Sequence, residues 1–238
     1  MFSMTADLYD AIYAARGKDY AEEAQQLHQI IQQTRQTAGN TLLDVGCGTA
    51  VHLIHLADLY AATGLDLDQK LLDIAQERLP DLPFHQGDMA DFEVGRQFDV
   101  IICLFSSIGY VKTVDRLNQT LQCFARHTHP GGVVVVEPWL SAETFRGGNL
   151  TKPRASFVDE PELKVARMTT SSINGRLAVL EFHYLISTRE GVRYFNETHE
   201  LGFFTHEEYL AAFTQAGFQV SHDPQGIAGR GLYIGRKS

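Results

Sequence analysis

Asp44, Gly46, Cys47 and Gly48 close an apolar run that begins at Thr41, and this order of residue types makes a ligand cradle. An acidic residue ending a buried strand, followed by two glycines in alternation, lets a small molecule approach bare backbone. About twenty residues beyond Gly46, Asp66 ends a second apolar segment. A carboxylate there can accept hydrogen bonds from both hydroxyls of a ribose, whereas it would repel a phosphate. Gly87-Asp88-Met89 offers a third point, with Asp88 able to accept from an adenine amino group and Met89 able to pack on the ring. Further on, Ser106, Ser107, Gly109 and Tyr110 leave room and hydrogen-bonding groups directly beyond another apolar run. Open α/β sheets bind ligands at the carboxyl ends of their strands, so two ligands can meet there.

Holding these residues at one rim requires a β-α-β frame. Thr41 to Val45 reads as a strand, Val51 to Tyr60 as a helix carrying Leu53, Ile54, Leu56 and Ala57, and Ala61 to Leu67 as a second strand. A helix over Asp68 to Leu79, with Leu71, Leu72, Ile74 and Ala75 as its stripe, leads through Pro80 and Pro83 to a short strand at Phe84 to Gln86. Phe98 to Phe105, apolar but for Asp99, reads as the central parallel strand. A helix from about Val114 to Arg126 and a turn at Pro130-Gly131-Gly132 precede the next strand, Val133 to Glu137. Upstream, Tyr20, Ala24, Leu27, Ile30 and Ile31 recur at helical spacing. The segment before them, with Tyr9, Tyr13, Arg16 and Lys18, is expected to cap the core or close over the ligand.

After Trp139 the pattern changes to alternating segments around Leu163 to Met168, Arg176 to Ile186 and Val192 to Phe204, joined at Asn174-Gly175 and Glu190-Gly191. These are hairpin signals, so an inserted antiparallel sheet is expected. A helix at His206 to Ala216 and strands near Phe218 to His222 and Gly231 to Gly235 return to the main sheet. The expectation is one α/β domain, Rossmann-like, with a seven-stranded mainly parallel sheet. It divides into an N-terminal cap and helix (1–40), a binding core (41–150), the inserted sheet (151–204) and a C-terminal helix with two strands (205–238).

Composition narrows the partners. The chain has 238 residues and a formal charge of −9, which disfavours general binding to nucleic acid or to an anionic membrane. The first residues carry neither a basic flank nor a long apolar run, so a cytoplasmic location is expected. Three cysteines without metal-ligand spacing argue against a disulfide framework or a structural zinc. His52 and His55 lie three apart on a helix without a converging carboxylate or thiol in the pattern, and no metal is expected. An exposed edge of the inserted sheet can pair two subunits or face water, so a homodimer is possible.

Two nucleotide classes compete for the glycine turn. A dinucleotide site wants a third glycine for close approach to the pyrophosphate, but Thr49, Ala50 and Val51 stand there. S-adenosylmethionine lacks phosphates and needs only the backbone approach, a ribose carboxylate and an adenine site. Leu-Asp-Val-Gly-Cys-Gly-Thr, Gly-Asp-Met and Pro-Gly-Gly-Val-Val-Val-Val-Glu-Pro-Trp resemble a class I S-adenosylmethionine-dependent methyltransferase. Arg-Gly-Lys-Asp-Tyr (16–20), His-Gln-Gly-Asp-Met (85–89), Phe-Ser-Ser-Ile-Gly-Tyr (105–110), Glu-Pro-Trp (137–139) and Gly-Arg-Gly-Leu (229–232) are similar to the sugar N,N-dimethyltransferases of desosamine and mycaminose type. That resemblance spans nearly the whole chain.

The resemblance implies two successive methyl transfers to the amino nitrogen of a dTDP-linked 3-amino-3,6-dideoxyhexose, in antibiotic biosynthesis. By the same likeness Tyr9 and Tyr20 would touch the methionine end of the cofactor. Gly46, Cys47 and Gly48 would line its backbone side, Asp66 and Leu67 the ribose, Asp88 and Met89 the adenine, and Leu104 the floor. Tyr110 would lie near the sugar nitrogen, Trp139, Thr144 and Phe145 would line the nucleotide pocket, and Arg230 would meet the diphosphate. A sulfonium methyl is already activated, so alignment and water exclusion carry most of the rate. Tyr110, with an ordinary pKa near ~10, suits orientation better than proton removal. Relatives carry Gly where this chain has Ala50, an exchange expected to be harmless if Ala50 already lies inside the helix. After Glu-Pro they carry Trp-Trp or similar bulk, where this chain has Trp139 followed by Leu140, and near the N-terminus a tyrosine, where it has Phe2.

Overall fold

The computed structural model describes residues 6–15 and 17–238. In chain order the first half comprises α1 (Ala6–Ala14), α2 (Tyr20–Thr34), β1 (Thr41–Val45), α3 (Val51–Leu56), β2 (Ala61–Asp66), α4 (Gln69–Arg78), β3 (Phe84–Gln86), β4 (Phe98–Cys103), α5 (Val114–Arg126) and β5 (Thr128–Val136). The second half comprises α6 (Ala142–Gly147), β6 (Arg154–Asp159), β7 (Lys164–Asn174), β8 (Leu177–Thr188), β9 (Gly191–Gly202), α7 (His206–Gln215), β10 (Phe218–Asp223) and β11 (Leu232–Lys237).

The main sheet runs β10-β11-β5-β4-β1-β2-β3, with β1 to β5 parallel and β11 antiparallel to β5. Strand order reverses between β1 and β4, which opens a crevice at their carboxyl ends. Alternation along these strands feeds two cores. Leu43, Ile101 and Val134 join Phe124 of α5 and Phe213 of α7, while Leu42, Val100 and Val133 join Leu27 and Ile31 of α2 and Leu53 of α3. A four-stranded antiparallel sheet, β6-β7-β8-β9, packs its inner face around Phe145, Tyr184 and Phe203, with Ile12 of α1 against the same cluster.

The expected architecture is present, with four local differences. α1 occupies the segment read only as an aromatic and basic cap. β6 joins the inserted sheet ahead of the first expected strand, since only Val158 within it is buried and its alternation is too weak to announce it. β5 starts at Thr128, and the ladder slips between Phe98 and Val100 so that Pro130 and Gly131 fit as an irregularity within the strand.

Ala50 is the fourth. It lies just before α3, in the left-handed conformation with φ 62°, instead of inside the helix. Left-handed backbone costs a non-glycine residue roughly 1–2 kcal/mol. The methyl group is fully buried, worth about 0.8 kcal/mol, and alanine leaves the unfolded chain less entropy than glycine, worth roughly 0.4–1 kcal/mol. These terms offset. Ala50→Gly should therefore change the free energy of urea unfolding by less than about 1 kcal/mol; a loss of more than about 2 kcal/mol would show that methyl packing governs the position.

Candidate active site

The glycine turn is built by close approach. Gly46 and Cys47 donate their N–H groups to the Leu65 carbonyl at 2.7 and 3.1 Å, locking the end of β1 to β2. Gly46 has φ 76°, and a Cβ there would stand 2.8 Å from that of Ser107. Gly48 has φ 56°, and a Cβ there would meet nothing within 4 Å, so it faces open space. Its N–H donates to Asp66 Oδ2 at 2.8 Å while Asp68 N–H donates to Oδ1 at 2.9 Å. Two backbone donors thus aim the Asp66 carboxylate, which retains lone pairs for hydroxyl donors. Burial raises the Asp66 pKa against the lowering effect of these hydrogen bonds.

Gly46, Gly48, Asp66, Leu67, Asp88, Met89 and Tyr110 line one cavity, together with Ser107 and Arg116. Among the described residues lining it, Arg116 is the cation, and its guanidinium meets both Asp88 oxygens at 2.7 and 2.6 Å. Asp88 also accepts from the Ala90 N–H at 2.9 Å, so it is an oriented turn residue as well as a cavity wall. Cys47 and Leu104 are buried, at 6% and 3% exposure, within the same core cluster, and line none of the cavities named here. The Cys47 thiol is pushed well above its ordinary pKa by burial and by Asp44 and Asp66, which makes it inert.

The N-terminal cap is clasped over this turn. Arg78 of α4 donates to Asp10 of α1 at 2.5 Å and to the Thr49 carbonyl at 2.7 Å, and Thr49 Oγ1 donates to Asp10 at 2.8 Å. Tyr20 packs edge-on against His52, and its hydroxyl is buried with no hydrogen-bond partner among the described residues. His52 itself meets Glu23 at 2.9 Å, and Glu23 also receives Lys18 at 2.5 Å. The expectation for Tyr9 concerns a side chain outside the described residues.

A second, larger cavity of about 790 Å³ is lined by Tyr13, Phe105, Trp139, Arg154, Arg167 and Arg230, among others. Ser107 and Tyr110 line both cavities, so the two meet at these residues. Trp139, Thr144 and Arg230 border a third cavity beside it, whereas Phe145 is fully buried against Trp139 and Phe203.

Glu137, at 1% exposure, organises the junction. Its Oε2 accepts from Phe105 N–H at 2.6 Å and its Oε1 from Arg230 Nε at 2.9 Å. Phe105 and Ser106 are consecutive left-handed residues, φ 53° and 64°, a strain held in place at the site by that carboxylate and by the Ser106 hydroxyl donating to Pro138 O at 2.8 Å. The Phe105 ring lies 4.3 Å from Lys18 Nζ and 5.0 Å from the Arg230 guanidinium carbon.

Sequence reasoning missed Glu137 as a ligand of Arg230, Arg116 as the partner of Asp88, and a buried pair on β9. Tyr110 Oη lies 2.9 Å from His199 Nδ1, and His199 Nε2 lies 3.4 Å from Glu197 Oε2. Glu197, His199 and Leu201 are all inward-facing, so a strand putting polar residues on its buried parity was the signal available.

The cradle fits S-adenosylmethionine: open space over Gly48, an aimed carboxylate for a ribose, an apolar wall at Leu67 and Met89, and a cation already neutralised by Asp88, which leaves no phosphate seat. A methyltransferase domain model matches residues 42–132. The chain is 43% identical, over 97% of its length and 96% of the relative's, to a dTDP-3-amino-3,4,6-trideoxy-α-D-glucopyranose N,N-dimethyltransferase of Streptomyces venezuelae. It superposes on the crystal structure of Streptomyces venezuelae DesVI with a TM-score of 0.91 at 41% identity, covering 98% of each chain. Against S-adenosylmethionine-bound CalS10 of Micromonospora echinaspora, an amino pentose methyltransferase involved in calicheamicin biosynthesis, the TM-score is 0.86 at 34% identity, covering 97% of each chain.

Asp44 carries a pH signature for this turn. Burial, aided by Asp66, pushes its pKa from 3.8 up to about 8. The folded protein therefore holds a proton that the unfolded chain has lost, and stability should fall as pH rises from about 4 to about 8. Urea midpoints measured across that window should decline in the wild type and flatten in Asp44→Asn; parallel slopes would mean that Asp44 is ionised throughout.

Proposed function

The chain belongs to the dTDP-amino-sugar N,N-dimethyltransferases, class I S-adenosylmethionine-dependent enzymes, and from that membership we propose the task of each cavity. The observation that carries the reading is that Ser107 and Tyr110 belong to both cavities, so an acceptor nitrogen and a methyl donor meet there. The acceptor is the 3-amino group of a dTDP-3-amino-3,6-dideoxyhexose, methylated twice by direct displacement.

S-adenosylmethionine supplies an activated methyl group. The protein's work is placement. Gly46, Cys47 and Gly48 give the backbone wall, Asp66 with Leu67 holds the ribose, and Asp88, oriented by Arg116, accepts from the adenine amino group above Met89. Tyr20 closes the methionine end, and Leu104 supports the floor from the core. On the acceptor side Tyr110 orients the nitrogen, while Trp139 and Thr144 border the nucleotide pocket and Phe145 backs Trp139. Arg230 spends Nε on Glu137 and turns its remaining donors to the diphosphate, a task suited to a planar fork in a chain of net charge −9. The same negative charge supports an enzyme without nucleic-acid partners, and the cytoplasm is the location that fits a nucleotide-sugar substrate. In this reading 41–150 binds the cofactor, 1–40 covers it, 151–204 walls the acceptor and 205–238 returns Arg230 to the site.

The outer face of the inserted sheet exposes Phe157, Leu185, Val192 and Tyr194, at 63%, 51%, 65% and 62%. This apolar surface supports pairing with a second copy of the chain, and sedimentation should give the mass of a dimer that Tyr194→Lys with Val192→Glu converts to a monomer; a monomeric wild type would reject the pairing.

Mass spectrometry after incubation with 3-amino and 4-amino dTDP-sugars and simple amines should show two successive methyl additions to the 3-amino sugar. Methylation of simple amines alone would sink the reading. Arg230→Gln, whose amide nitrogen stands where Nε does and can still donate to Glu137, should raise the Michaelis constant for the dTDP-sugar at least tenfold, an order expected for one lost charged contact, and leave that for S-adenosylmethionine nearly unchanged; the reverse pattern would reject the diphosphate role.

A further inference from the structure

The donors and acceptors around His199 fix its tautomer. Glu197 is a carboxylate acceptor, so the neutral ring carries its proton on Nε2, facing Glu197 Oε2 at 3.4 Å. Nδ1 is then an acceptor, and the Tyr110 hydroxyl 2.9 Å away must donate to it. The lone pairs of Tyr110 Oη remain for the cleft, at the place where the two cavities join. A tyrosine whose proton points backward to a base presents only acceptor capacity forward.

We propose that Tyr110, His199 and Glu197 form a proton relay that deprotonates the acceptor ammonium before each methyl transfer, with His199 as the proton's resting place. This rests on the amino-sugar reading above and deepens it. One N–H bond of the ammonium breaks and its proton forms a bond to Tyr110 Oη. At the same time the original Tyr110 O–H breaks and that proton bonds to His199 Nδ1. The substrate nitrogen keeps the electron pair it needs for attack and one positive charge moves to the imidazolium; the methylated product is itself an ammonium, so once it leaves, His199 gives its proton back through Tyr110 to water entering the emptied cleft.

The relay answers a difficulty that Tyr110 alone leaves. Burial drives its pKa far above the ordinary tyrosine value, so a free phenolate cannot be the base. In a concerted passage no phenolate forms. Among the described residues, the charged and titratable groups around His199 include Glu197 on its own strand, Arg167 on β7, Tyr184 on β8 and Tyr110 after β4, with Tyr13 of α1 beside Arg167. Burial lowers the His199 pKa and Arg167 adds to this, against the hydrogen bond and charge of Glu197. The ring is therefore neutral at pH 7 and ready to accept, and the imidazolium it becomes is held by Glu197.

An amine flanked by electron-withdrawing oxygens titrates near the α-amino range, about 8. With the relay the enzyme uses the ammonium form directly, so kcat/KM should be level from pH 8 down to the His199 titration below 6.5. His199→Gln keeps an acceptor for Tyr110 and a donor for Glu197 but cannot take a proton. It should lose about tenfold in kcat/KM at pH 7 and return to within about threefold of wild type at pH 9, where the amine is already neutral. Tyr110→Phe should show the same pH-dependent loss, and the double variant should be no worse than either single one. A loss that is constant from pH 6.5 to 9, or no loss, would overturn the relay in favour of a positioning role or none.

A second readout needs no turnover. In protein labelled with ¹⁵N-histidine and without cofactor, the His199 nitrogens at pH 7 should report a neutral ring protonated on Nε2, with Nδ1 shifted by the Tyr110 hydrogen bond in wild type and not in Tyr110→Phe. A ring protonated on Nδ1, or already an imidazolium, would sink the relay alone; no calorimetric binding of any dTDP-amino sugar would sink the acceptor assignment and the relay with it.

Discussion

A buried carboxylate cannot stand alone in a protein interior, and the site of this enzyme is arranged around meeting that demand at Glu137. The residue sits beyond β5 at 1% exposure, and its two oxygens take the Phe105 N–H and the Arg230 guanidinium. An unpaired charge there would cost several kcal/mol, so the ends of two adjacent parallel strands and the loop before β11 are held together wherever the chain folds at all. Phe105 and Ser106 occupy left-handed backbone only because that tie, the Ser106–Pro138 bond and the packing around them over-determine it. The turn so produced sets Ser107 against Gly46 and carries Tyr110 to the boundary of the cavities. The two cavities are thereby placed relative to each other around one buried carboxylate.

Two cations then share one ring. Lys18 reaches Phe105 from the N-terminal cap, bound to Glu23, and Arg230 reaches it from the C-terminal loop, bound to Glu137. Each cation brings its own carboxylate, which spares the ring from an unbalanced charge and keeps both side chains from collapsing into the cleft. The cap is fastened a second time where Asp10 meets Arg78 and Thr49. Residues far apart in the sequence thus close over the glycine turn through paired polar contacts at its rim, contacts that can be exchanged for water more readily than a packed apolar face.

The main sheet was legible because its information is local. Runs such as Val133 to Val136 are buried on both faces, and Gly46, Asp66 and Asp88 mark strand ends by residue type alone. The cavity shared by Gly46, Asp66 and Asp88 followed, since three strand ends of a parallel sheet necessarily share a rim. What escaped was long-range pairing. Nothing near Asp88 announces Arg116, and nothing near Arg230 announces a carboxylate 93 residues away. The backbone of Ala50 escaped for a related reason: helical periodicity begins at Val51 but does not say on which residue the chain turns left-handed. β6 escaped because an edge strand with one buried side chain has almost no alternation to display.

The acceptor half illustrates a different limit. Along β9 the inward parity carries Glu197, His199 and Leu201 in succession, with Gly202 pressed against the backbone at Lys112. A sequence reader expects inward positions of a half-buried strand to be apolar, and two polar residues there look like a register error or an exposed face. Their retention is costly unless they are satisfied; His199 meets Glu197 on one side and, on the other, Tyr110 from the turn that follows β4 of the main sheet. The inserted sheet therefore does more than wall the larger cavity: its buried polar pair meets the strand-end turn of the main sheet. The same contact ties the insertion to the residue at which the two cavities meet.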